Sequence, residues 1–181
     1  MQRQLDTAPP PSHSTATATA PILRGLSFVE LIEMLEFSRL RLDPPVAKQC
    51  RRDRPVIGTQ EWMLSTRPRK RVEPSAVYVC STLTSLHESL LPPEDAMLDF
   101  SVPTNPTPAA RSLRDKRMQL FALARRSGTE RPSLPYLRVD LASLIQRVIV
   151  PKEAPPDLFE LVDRVVRARI WVDVCHGTPA R

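Results

Sequence analysis

The chain has 181 residues, 41% hydrophobic and 25% charged, with a formal net charge of +6 and 20 prolines against four glycines. These values describe one globular domain with a real core. Scarce glycine excludes Gly-rich phosphate loops and compact barrels that turn on left-handed residues. No apolar run approaches the roughly 20 residues that cross a bilayer, so no membrane span is expected.

Residues 1–26 are rich in Ala, Thr, Ser and Pro, with Arg3, Asp6 and Arg24 as their only charges. They read as a disordered arm without a secretory h-region; a transit peptide is the alternative. The clearest element follows. Ser27 and Glu30 form a capping box, Leu26 and Leu31 can staple it, and Phe28, Leu31, Ile32 and Leu35 keep helical spacing. The spacing predicts a helix over 27–42, stopped by Pro44-Pro45.

Residues 43–74 read as an extended connector with eight basic and four acidic residues and an ordered turn around Trp62. Within 76–91, Ala76, Val79, Cys80, Leu83, Leu86 and Leu90 fit a helix, with a strand at 76–82 as the competing reading from Val77-Tyr78-Val79. A Pro-rich stretch over 92–109 holds one short apolar piece at 96–100. Leu113, Leu120, Phe121 and Ala124 predict a helix over 110–126, closed by Gly128. Asp140 caps a helix from Leu141 to Val150. Asp157 and Glu160 open another, with Glu160–Arg164 and Asp163–Arg167 as i, i+4 pairs. Residues 169–174 stay open between helix and strand.

The fold class expected is therefore mostly α: an irregular bundle of four to five helices with long Pro-rich connectors. Its boundaries are an arm at 1–26, a single helical domain at 27–176 and a tail at 177–181.

Little in the sequence points to catalysis. Cys50, Cys80 and Cys175 are odd in number and widely spaced, which fits a reducing compartment better than a disulfide framework. Cys80 and His87 stand seven residues apart, too far for a nucleophile–base pair on one helix. Cys and His are too scattered for zinc, and no Walker, GxSxG or GxGxxG motif occurs. No metal, no cofactor and no enzymatic activity are expected.

The basic clusters carry the remaining signal. Arg67, Arg69, Lys70 and Arg71 resemble a short nuclear import signal, against a solvated loop as the bland alternative. Arg111, Arg114, Arg117, Arg125 and Arg126 are candidates for contact with nucleic acid or a partner. Leu120, Phe121 and Arg169 are candidates for a partner-docking helix face. Four acidic residues without any Lys or Arg over 75–108 offset the basic blocks on either side. The function expected is thus a non-catalytic basic adaptor or complex subunit that docks a larger protein through amphipathic helices. The alternative is an RNA- or DNA-associating accessory protein, viral or organellar, using Arg for phosphate contact. The location expected is intracellular, nucleus or cytoplasm, with the mitochondrion as alternative.

Overall fold

The computed structural model describes residues 19–45, 50–51, 53–64, 76–101, 117–125 and 134–177. Strands dominate it. In chain order they are β1 (Pro21–Ser27), β2 (Arg39–Arg41), β3 (Cys50–Arg51), β4 (Arg54–Met63), β5 (Ala76–Thr82), β6 (Leu90–Leu91), β7 (Ala96–Ser101), β8 (Arg117–Ala124), β9 (Tyr136–Val139), β10 (Arg147–Val150) and β11 (Asp173–His176). The helices are α1 (Phe28–Phe37), α2 (Leu83–Ser89), α3 (Leu141–Leu144) and α4 (Pro156–Arg167).

The main sheet runs β11-β10-β5-β1-β4-β8-β7, with β3 paired to β4 at the side; a second sheet runs β2-β9-β6. All of these pairings are antiparallel except β10–β11. Those two parallel strands need a crossover, and α4 supplies it. The largest apolar cluster joins one face of the main sheet (Ile22, Leu26, Trp62, Val77, Val79, Leu120, Val148) to Leu31, Met34 and Leu35 of α1 and Val162 and Val166 of α4. Gly58 of β4 meets the segments that follow β2 and precede β9. A Cβ there would lie 2.7 Å from Leu42 Cδ1 and 2.8 Å from the Leu134 carbonyl, so only glycine admits the approach.

The mostly helical bundle is overturned, and the reason is burial on both faces. On β8, Met118, Leu120, Ala122 and Ala124 enter the main core while Phe121 and Leu123 pack with Val56 behind the sheet. On β5, Val77 and Val79 face one side and Tyr78 the other, against Leu23 and Ile149. Strands covered twice present continuous apolar runs, which mimic a helical stripe. Helix propensities among such residues differ by less than about 0.7 kcal/mol. Burying each large side chain contributes about 1.5–3 kcal/mol, so packing decides.

Other boundaries shift for local reasons. The capping box forms as read: Ser27 N–H and Oγ–H donate to Glu30 Oε2 at 2.8 and 2.9 Å, and Glu30 N–H donates to Ser27 Oγ at 3.2 Å. The helix ends at Phe37, however, because Ser38 turns left-handed (φ 48°) and releases β2. Asp140 caps as expected, but its helix stops at Leu144 and the β-branched Val148-Ile149-Val150 joins β10. Helix α4 opens at Pro156 with no side-chain cap, correcting the role given to Asp157, while the Asp163–Arg167 pair forms at 2.7 Å. Residues 21–26, assigned to the arm, form the central strand β1, and the connector 43–74 contains β3 and β4. No helix among the described residues is long and apolar enough to cross a membrane.

Candidate functional site

Strand β1 alternates. Ile22 and Leu26 point into the main core, and the two-residue period of a strand puts Arg24 on that same face. A guanidinium in an apolar row is costly unless something receives its protons. Arg24 Nε is buried, and no acceptor among the described residues reaches it. Burial pushes the Arg24 pKa down, opposed by the charges of Asp43, Glu30 and Glu61.

Above Arg24 lies a pocket walled by Leu26, Glu30, Glu33, Met34, Arg39, Leu40 and Arg41. Its clear volume is about 10 Å³, roughly the space of one water molecule. Three elements build it: the end of β1, the first two turns of α1, and β2. Strand β2 is held from below by a buried polar relay, in which Trp62 Nε1 donates to Gln60 Oε1 and Gln60 Nε2 donates to the Arg41 carbonyl, both at 2.8 Å. From above, β9 pairs Arg39 with Arg138 and Arg41 with Tyr136.

Arg39 lies against two rings and a carboxylate. Its guanidinium carbon lies 4.4 Å from the Phe37 ring centroid and 3.9 Å from that of Tyr136, and its Nη2 donates to Glu33 Oε1 at 2.6 Å. The hydrogen bond from Arg39 holds the Glu33 carboxyl below its ordinary range against opposing burial, with further help from Tyr136. Burial also works against the Glu30 carboxylate, but the Ser27 hydrogen bonds and the charges of Arg24 and Arg41 keep it below its ordinary value. Like Arg24, Arg39 keeps a buried Nε with no acceptor. Two arginines thus line the pocket, each with a buried Nε–H that finds no acceptor among the described residues, and arginine is the side chain that phosphate recognition favours. No group of three His, Cys, Asp or Glu residues able to hold a metal occurs among the described residues.

The site residues expected from sequence lie elsewhere. Arg67, Arg69, Lys70, Arg71, Arg111, Arg114 and Arg126 fall outside the described residues. Arg117, at the start of β8, pairs with Glu61 across the sheet. Arg125 follows β8, and its carbonyl accepts from Arg54. Leu120 is fully buried and Phe121 nearly so, both on a strand. Arg169 Nη2 bonds the Glu36 carboxylate at 2.5 Å, tying the end of α4 to α1. Sequence reasoning missed Arg24, Glu33, Arg39, Arg41 and Tyr136. One signal was present: in Ile22-x-Arg24-x-Leu26, an arginine takes an inward position of an alternating strand.

No protein-family profile and no curated protein sequence matches the chain. Solved structures do. A structure of DarT from Thermus sp. 2.9 in complex with ADP-ribosylated ssDNA shares 11% identity over 87% of this chain and 94% of that one, with a TM-score of 0.51. The same protein in complex with NAD+ shares 10% identity over 87% and 95%, with a TM-score of 0.48. At these identities the first comparison is a likeness of fold. That shared fold contradicts the expected helical, non-catalytic adaptor and removes the ground on which no enzyme was expected. The helix face that was to dock a partner through Leu120 and Phe121 is instead a core strand.

Proposed function

We propose that the chain is an enzyme that uses NAD+ and transfers ADP-ribose to single-stranded nucleic acid. The fold it shares with DarT, whose structure holds ADP-ribosylated ssDNA, supports the reading. The observation that carries it is Arg24, a charged side chain on the core face of a central strand with a bare buried Nε at a pocket. A diphosphate fits that donor set, since its oxygens would satisfy the orphaned N–H groups of Arg24 and Arg39.

In such a transfer the bond between nicotinamide and ribose breaks, and nicotinamide leaves with the bonding pair. An acceptor atom of the nucleic acid bonds to the same ribose carbon and gives up a proton. Arg24 and Arg39 hold the diphosphate in place, and holding one reactant against another is itself a large part of catalysis.

The test incubates the full chain with NAD+ labelled in its adenylate phosphate and a single-stranded oligonucleotide. Label on the oligonucleotide, lost in Arg24→Met, is the expected result. A folded protein that neither transfers label nor releases nicotinamide would overturn the reading.

A further inference from the structure

We infer that the outer face of the β2-β9-β6 sheet, with the Phe37 ring at its rim, is the track on which a single-stranded nucleic acid lies. The inference rests on the proposed reaction, whose acceptor strand it places. Strands β2 and β9 alternate. Leu40, Leu137, Leu90 and Val139 are buried beneath the sheet, so the residues between them point outward. Register then sets those outer residues in two rows, Arg39, Arg138 and Leu91 in one and Arg41 and Tyr136 in the other.

Arg41, Arg138 and Leu91 are exposed. Like charges placed directly across a ladder repel, so pairing Arg39 with Arg138 is unfavourable until an anion covers the row. The nearby carboxylates do not cover it. Glu33 bonds Arg39 alone, and Asp140 accepts from Ala142 N–H and Ser143 Oγ–H at 3.1 and 2.6 Å. Arg41 and Arg138 form no ion pair among the described residues. Charge alone would suit any polyanion, and Phe37 narrows the choice. Its ring is 62% exposed, with the Arg39 guanidinium 4.4 Å from its centroid. An apolar ring left in water beside arginines is a platform for an unpaired base, which a duplex does not offer.

Fluorescence anisotropy with a labelled oligothymidylate tests this on the full chain without NAD+, with circular dichroism to verify folding. The wild type binds the single strand and prefers it to a duplex of equal length. Arg41→Gln with Arg138→Gln weakens binding roughly tenfold and flattens the salt slope by about 1.4, since each single-strand phosphate contact contributes about 0.7. Phe37→Ala weakens binding roughly fivefold or more and leaves that slope unchanged, and Phe37→Tyr restores it. Removing the same charge elsewhere, with Lys152→Gln and Arg164→Gln, has a far smaller effect. No binding by the folded wild type, equal losses in the two charge-removed variants, or a duplex bound as tightly as the single strand would each overturn the inference. Displacement by polyglutamate as readily as by oligonucleotide would point to an acidic protein partner and overturn it too. The transfer assay keeps the two questions apart. Strand binding of this pattern without label transfer sinks the proposed reaction but not the track, and transfer undiminished in Arg41→Gln with Arg138→Gln does the reverse.

Discussion

Two arginines reach into this protein from opposite sides, and their surroundings differ in kind. Arg51, on β3, pairs with Asp99 of β7, which is only 5% exposed, and lays its guanidinium 4.4 Å from the centroid of Phe121. Charge, hydrogen bond and ring face are all supplied from within the fold. Arg24, on β1, sits in the main core face with a bare Nε and an open pocket above it. A buried charge that the fold matches is part of its architecture. A buried N–H donor that the fold leaves without an acceptor is held for something that comes from outside, since natural interiors rarely leave such donors orphaned.

The largest stability effect belongs to the matched side. Asp99→Ala leaves Arg51 without its carboxylate and should cost about 2–3 kcal/mol in urea denaturation. That falls below the cost of breaking a fully buried pair, because Arg51 remains a third exposed. Nucleotide binding should persist in the folded fraction. A loss of binding equal to the loss of stability would erase the distinction between the two sites.

A smaller effect should appear where α1 meets the pocket. Ser27→Ala removes the cap that fixes the first turn and the Glu30 carboxylate and should cost roughly 0.5–2 kcal/mol. ADP affinity should change with it, since Glu30 and Glu33 both ride on α1. Stability lost with affinity untouched would show that the helix holds the core but not the site.

A last effect appears only at high pH and concerns a group buried neutral. Burial pushes the Cys80 thiol from 9.0 up to about 12, with the nearby Cys175 adding to it. A folded pKa raised above the unfolded one means the protonated form is favoured by folding. The contribution is therefore complete below about pH 9 and is lost as pH rises towards 12. Denaturation curves between pH 8 and 11.5 should fall more steeply for wild type than for Cys80→Ala, and parallel curves would contradict the shift.

What could be read in the sequence was local. The Ser27–Glu30 box and the Asp140 cap need only near neighbours, and both are present. The competing strand at 76–82 is β5, marked by Val77-Tyr78-Val79, but the other strands stayed hidden where, as on β8, burial on both faces removes the alternation that marks a strand. At β10, the cap of Asp140 led the eye into a helix that lasts one turn before Arg147–Val150 becomes sheet. The pocket was hidden for a different reason. Arg24 stood in a stretch whose composition reads as an arm, and Arg39 and Arg41 fell inside the helix expected over 27–42. Only the left-handed Ser38, which places β2 beside β1 and α1, turns those arginines into one site.

The central claim is that Arg24 is kept for a ligand at a cost to the fold, and Arg24→Met tests it most directly. Methionine fills similar space without a charge, and replacing buried charges by apolar groups is often neutral or stabilising. The melting temperature should hold or rise by about 2–4 °C for each kcal/mol gained, while ADP binding and ADP-ribose transfer disappear. A melting temperature that drops by several degrees with ADP binding intact would place Arg24 among the residues that hold the fold together and contradict the account.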